Sequence, residues 1–338
     1  MKRKYLFLAI AIVVCAAAWT ALNFWEQFTR KYPATEGAWI KIPRQATQEQ
    51  ILDSLQVQLG YNYGKTLHDI WKIINATPGK AAGAYLVQPG DRIIDIARRL
   101  KSGSQTPVKL TINNIRTPGQ LAQRVAERFD FTPAEFLAQS RPLLAAAGFD
   151  TFNITTPFLP DTYEFYYTAT PRQVTERLLG YYNLFWTPRR QEKAKALNLT
   201  PAQVVTLASI VDEETANAAE KPTIARLYLN RLKKGMKLQA DPTVKYAVGD
   251  FALKRILNQH LEKESPFNTY LHAGLPPAPI RIPEKATIDA VLNAPDNNYL
   301  YMCAKEDFSG THNFATTLEQ HNANARLYRA ALNARGIK

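Results

Sequence analysis

The chain has 338 residues, room for about two domains that each bury a core of their own. With 46% hydrophobic and 21% charged residues it fits a globular protein, and two cysteines exclude a disulfide framework. Its 42 basic and 29 acidic residues leave a net charge of +13, which favours polyanions such as nucleic acid, anionic lipid or a carboxylate-bearing polymer. The basic residues are scattered, so charge alone does not select among these partners.

Lys2-Arg3-Lys4 precedes an apolar run from Tyr5 to Leu22, near the lower length limit for a helix that spans a bilayer. The basic flank puts the N-terminus in the cytoplasm and the rest of the chain outside. A cleaved signal peptide is the rival, with Ala16-Ala17-Ala18 as its cleavage site. Trp19, Phe24 and Trp25 read better as interfacial anchors of an uncleaved single-pass helix. Residues 1–25 are therefore expected as cytoplasmic tip and anchor, and 26–35 as a polar linker.

Beyond it, Ala38–Ile42 reads as a strand, Thr47–Leu59 as a helix and His68–Ile74 as another. Tyr85–Val87 is strand-like, Gln88-Pro89-Gly90-Asp91 is a turn, and Ile93, Ile94, Ile96, Ala97 and Leu100 make an amphipathic helix ending at Gly103. Val108–Ile112 is a further strand. This small α+β unit, residues 36–112, resembles the LysM-like module, in which a strand leads through a PGD-type turn into a helix.

From residue 113 to 338 the pattern is mixed but mostly helical, which makes the whole chain α+β. Four Thr-Pro-x-Gln/Glu helix starts occur, at Thr117, Thr132, Thr170 and Thr200. Alternating aromatics from Phe158 to Tyr167 suit a strand. Ala225–Leu232 reads as a helix, Phe251–Pro266 as helical, Leu300–Ala304 as a short strand and Leu318–Leu332 as a final helix. Polar, turn-rich segments lie between them, including 239–243, 268–270, 274–277 and 310–314.

The helix opened by Thr200 carries Val204, Leu207, Ala208 and Val211 on one apolar face. Glu214 continues that face, whereas Asp212 and Glu213 point away from it. A carboxyl group in line with a buried stripe is desolvated, which raises its pKa and favours the protonated form a general acid needs. The competing possibility is a helix end whose acids simply meet water.

Other chemistries lack their signatures. His312 and His321 occur without HExxH or paired cysteines, so no zinc site is expected. Ser209 lies in a helix interior without a GxSxG turn, and no phosphate-binding glycine loop is present. One placed acid among loops rich in Asn, Gln, Tyr and Thr suits carbohydrate chemistry. Ordinary glycosidases need two carboxylates, and Asp241 and Asp161 are the candidates for a second.

The blocks ASIVDEET (208–215), LYLNRLKKGMKLQADPTVKYAVGD (227–250), NTYLHAGLPPAPI (268–280), YLYMCA (299–304) and GTHNFATTLEQHN (310–322) occur in one order. Together with FLPDTY (158–163) they resemble the endolytic murein transglycosylase (YceG-like) family over residues 36–338. The resemblance implies a bacterial inner-membrane protein with its C-terminal part outside the cytoplasm. It would cleave the MurNAc-β-1,4-GlcNAc bond of nascent peptidoglycan without water, leaving a 1,6-anhydro-MurNAc end and terminating glycan elongation. It also implies that Glu214 is the catalytic acid and then base.

Within the matched blocks Asn230, Gln239, Asp241, Thr243, Asn268, Tyr270, His312, Thr317, His321 and Asn322 are the substrate-binding candidates. Arg231 is expected to pair structurally with an acid. No cofactor or metal is implied; glycan strands, the membrane and peptidoglycan synthases are the expected partners, and nucleic acid is not. Asp212 stands where the family commonly has glutamate, a change that keeps the charge. A wall-binding scaffold with an idle acid, and a two-carboxylate hydrolase, remain as alternatives.

Overall fold

The computed structural model describes residues 2–150, 152–253 and 255–336. The outer limits of the expected domains, Met1 and Lys338, lie outside the described residues, as does Lys254 in the segment read as helical. The chain divides into two compact units. One comprises Met1–Leu110, Arg128–Asp130 and Tyr163–Thr170; the other comprises Thr111–Glu127, Phe131–Thr162 and Pro171–Lys338.

The first unit begins with a single helix, Lys2–Thr29. Its part Ile10–Thr29 is long and apolar enough to cross a membrane, and Ile12, Trp19, Leu22 and Trp25 stand exposed along it. The following residues are pinned to the unit. Tyr32 N–H donates to Asp91 O at 2.8 Å, Gly90 N–H donates to Tyr32 O at 3.1 Å, and Ile93 N–H donates to Arg30 O at 2.9 Å. Tyr32 is buried, with its ring 5.3 Å from that of Tyr63. Residues 26–35, expected as a polar linker, are thus partly helical and partly docked, because Phe28 and Tyr32 carry apolar surface into the core.

Strand Ala38–Ile42 has the expected bounds and pairs antiparallel with Gly83–Val87, Ile40 opposite Tyr85. Thr47 caps Gln48–Leu59 with a full capping box, and the next helix, Tyr61–Ile73, starts earlier than its sequence suggests. These two helices pack closely at Gly64, where a Cβ would come within 2.4 Å of Leu55 O. Ile93–Ser102 ends at Gly103, whose φ of 69° is the left-handed cap glycine adopts freely. A strand–turn–helix unit is therefore present, inside a sheet of two strands flanked by several helices.

The second unit is mostly helical. Thr117, Thr132, Thr200 and Thr317 each close a capping box on the helix that follows. Its core is built around Pro201–Glu214, against which Lys221–Lys233 and Lys285–Leu292 pack. Every residue from Val204 to Val211 is buried, so the helix is enclosed all round over its central turns. Sequence periodicity alone showed one apolar face. Ser209 is occupied structurally: its hydroxyl donates to Thr206 O at 2.7 Å and accepts from Ile280 N–H at 3.0 Å.

Two segments depart from expectation. His312–Ala315, read as a polar turn, is a strand paired antiparallel with Tyr301–Ala304. Phe251–Pro266, read as helical, contains among its described residues only the short helix Asn258–Leu261. Among its described residues Phe251, Leu253, Ile256 and Leu261 are only half-buried, and Leu257 is left exposed.

Candidate active site

The acid helix ends in three consecutive carboxylates that meet three different environments. The Asp212 side chain is almost inaccessible and accepts from Lys221 Nζ at 2.5 Å, Thr287 Oγ1 at 2.5 Å and Glu284 N–H at 2.7 Å. Glu213 accepts from Arg116 at 2.8 Å and Arg281 at 3.0 Å. Both charges are neutralised by cations. Glu214 instead receives a phenol: Tyr228 O–H donates to its Oε1 at 2.5 Å. The helix stops directly after it, because Thr215 turns to extended backbone.

Burial raises the Glu214 carboxyl from its ordinary value near 4.5 to about 7. Desolvation is the largest cause. The Tyr228 hydrogen bond opposes it, the charges of Asp241 and Glu213 add to it, and Arg231 works against it. A carboxyl group of this kind exchanges its proton near neutrality, as an acid–base catalyst must.

Glu214 faces a cleft of about 390 Å³. Leu227, Tyr228 and Arg231 of the helix Lys221–Lys233 form one side, and Leu238, Gln239 and Asp241 follow on the next stretch of chain. Tyr270, the hairpin residues Met302, Cys303, Ala304 and His312, and His321 of the last helix complete it. A larger groove of about 1000 Å³ lies along Arg226, Asn230, Lys233 and the turn Gly274–Pro277. Its one lining carboxylate, Asp296, is almost fully exposed and paired with Arg226, which leaves the smaller cleft as the candidate site.

Arg231 holds the cleft walls together. It donates to Leu300 O at 2.6 Å, Lys237 O at 3.1 Å, Leu238 O at 2.9 Å and Gln239 Oε1 at 3.3 Å, with its guanidinium over the Tyr301 ring. The pairing with an acid expected for it is replaced by these carbonyls, which a planar fork of donors suits well. Gln239 sits at φ 50°, a left-handed conformation costing a non-glycine residue about 1 kcal/mol, at a cleft wall where such strain is typically retained. Tyr270 O–H donates to Asp241 at 2.6 Å. Glu220 accepts from both the backbone N–H and the Nδ1 of His312, at 2.8 and 3.1 Å. The His321 ring stacks on Tyr301; burial, then the Arg231 charge, pushes its pKa down.

Of the candidates read from sequence, Glu214, Gln239, Asp241, Tyr270, His312 and His321 converge on the cleft. Asn230 holds the 297–299 loop by donating to Asn297 O and Tyr299 O and faces the other groove. Thr243 and Asn268 are fully buried and bond Ala240 O, Thr269, Leu261 O and Lys263 O. Thr317 is a helix cap and Asn322 is exposed. Tyr228 and Glu220 were missed. Tyr228 and Arg231 lie one turn apart on one helix face, the signal that could have found the tyrosine. Among the described residues no cluster of His, Cys, Asp or Glu is arranged to hold a metal.

A protein-family model described as the YceG-like family matches residues 40–327. A Bacillus subtilis (strain 168) protein named endolytic murein transglycosylase is 29% identical over 273 residues, 75% of either chain. A Streptococcus pneumoniae (serotype 2, strain D39) protein of the same name is 27% identical over 317 residues, or 84% of this chain and 57% of the relative. This chain thus spans little more than half of the pneumococcal protein. The crystal structure of a putative YceG-like protein from Listeria monocytogenes has the same fold, with a TM-score of 0.57 at 24% identity over 86% of this chain and 99% of that one.

Proposed function

This chain belongs to the YceG-like family, and from that premise we propose that it is an endolytic murein transglycosylase acting on nascent peptidoglycan. The observation that carries the proposal is the Glu214 carboxyl, raised to about 7 at the foot of a polar cleft with a phenol and, among the described residues, no cation bonded to it. Protonated Glu214 gives its proton to the glycosidic oxygen as the bond to MurNAc C1 breaks. The carboxylate then accepts the proton of the MurNAc C6 hydroxyl as that oxygen closes on C1. One carboxyl group serves both steps, so no water is consumed. Gln239, Tyr270, His312 and His321 offer the donors and acceptors that read sugar hydroxyls.

The N-terminal helix is proposed to anchor the chain in the inner membrane, with the remainder outside the cytoplasm near the polymerising synthases. On this account residues 36–112 form a LysM-like accessory module and 113–338 the catalytic domain. The basic surface then suits lipid headgroups and stem-peptide carboxylates.

A hydrolase is the second reading, because Asp241 lines the same cleft. Asp161, the other candidate partner, is bonded to Lys285 and is not among the cleft residues. Mass analysis of a glycan digest separates the two. Lyase products are lighter by one water, about 18 Da, at the MurNAc end than those of a two-carboxylate hydrolase. Hydrated ends would establish the second reading, and intact glycan would favour the wall-binding scaffold.

The Asp241 charge helps hold Glu214 protonated, so Asp241→Asn lowers the Glu214 pKa. The high-pH limb of the rate profile is expected to move down by about half a pH unit, with cleavage retained below it. Loss of activity at every pH would instead mark Asp241 as a second catalytic carboxylate.

A further inference from the structure

Tyr228 is buried, and its phenol is the hydrogen-bond donor to Glu214 among the described residues. The other groups around the acid are engaged elsewhere. Glu213 is held by Arg116 and Arg281, Asp241 by Tyr270, Arg231 by backbone carbonyls, and His312 by Glu220. We infer that Tyr228 is a positioning residue that commits the reactive proton of Glu214 to Oε2, so that one oxygen gives the proton and later takes it back. The inference rests on the transglycosylase reading above.

A protonated carboxyl group carries its hydrogen on one oxygen, and the other, carbonyl oxygen is the better acceptor. With the phenol donating to Oε1, the acid form places its hydrogen on Oε2. In the first step the Oε2–H bond breaks, a new O–H forms on the leaving GlcNAc oxygen, and the C1–O electron pair stays with that oxygen. The carboxylate left behind keeps the Tyr228 hydrogen bond, which is charge-assisted in this state and stronger. In the second step a lone pair of the C6 oxygen bonds C1 while the hydroxyl proton passes to Oε2. Glu214 ends neutral, as it began.

The phenol itself is held as a donor throughout. Burial and the neighbouring Glu214 charge push its ionisation well above the ordinary tyrosine value. Tyr228 sits on Lys221–Lys233, which packs against the acid helix, so the bond joins two neighbouring helices and does not rest on a loop.

The test is a pH–rate profile of the full chain in detergent on nascent glycan, for wild type, Tyr228→Phe and Glu214→Gln, with KM and kcat resolved. In Tyr228→Phe the carboxylate loses a stabilising donor, so the high-pH limb is expected to rise by about half to one pH unit. The plateau kcat is expected to fall about tenfold or more with KM little changed. A folded Tyr228→Phe enzyme with the wild-type limb and kcat would overturn the inference while leaving the transglycosylase reading intact. That reading fails separately if Glu214→Gln still cleaves. Should Tyr228→Phe not fold, wild type suffices: the infrared C=O stretch of protonated Glu214, identified by its loss in Glu214→Gln, is expected at the low frequency of a hydrogen-bonded carbonyl. A free-carbonyl frequency would overturn the inference.

Discussion

Glu214→Gln is expected to lower strand cleavage by roughly a thousandfold while making the folded protein more stable at neutral and alkaline pH. The two effects have one cause. The folded-state pKa of Glu214 is raised, from 4.5 to about 7, because burial penalises its charge. Below the unfolded pKa both states hold the proton and the site costs nothing. Between the two values the unfolded chain has released its proton and the folded chain has not, so stability falls as pH rises. Above the folded pKa the full penalty applies, on the order of 3 kcal/mol. Glutamine keeps an oxygen for the Tyr228 phenol and carries no charge. Thermal melts should therefore show a variant more stable than wild type at about pH 8 and indistinguishable from it at about pH 4. Equal melts at both pH values would mean that Glu214 is not buried as a charge.

Loss of the Lys221–Asp212 pair is the largest stability effect expected. Asp212 is only 3% accessible and Lys221 15%, and both also bond Thr287. Lys221→Met removes the cation and leaves a buried carboxylate beside Thr287 and the Glu284 N–H, at a cost of about 3–5 kcal/mol. Asp212→Asn combined with Lys221→Met removes both charges and should recover most of that loss. Because Asp212 is two residues from Glu214 in one helix, the single variant should also lower kcat. Denaturant melts of the two variants check the first claim. A single variant as stable as wild type would contradict it.

What sequence reveals here follows the range of the interaction. The cap at Thr200, the helix it opens and the strand Ala38–Ile42 are local, written in hydroxyl–amide spacing and in alternation. The placement of Glu214 was legible for the same reason, since it lies in register with Leu207 and Val211, both buried. The strand His312–Ala315 was not, because its pattern is polar and its pairing partner, Tyr301–Ala304, lies across an intervening loop. Asn230, Thr243 and Asn268 show the other limit. An amide or hydroxyl that binds a sugar and one that holds a loop carry the same letter, and these three are engaged within the protein. Glu220 belongs to the same class of illegible residue, as its contact with His312 spans a sequence separation of 92.

The central claim is that one carboxyl group, Glu214, cleaves the glycan without consuming water. The most direct measurement is digestion by the full chain in heavy-oxygen water, followed by mass spectrometry of the new MurNAc ends. A transglycosylase closes the ring with the sugar's own C6 oxygen, so the account predicts new ends that carry no label and that disappear with Glu214→Gln. One heavy oxygen at each new end would show that water attacks C1, and would contradict it.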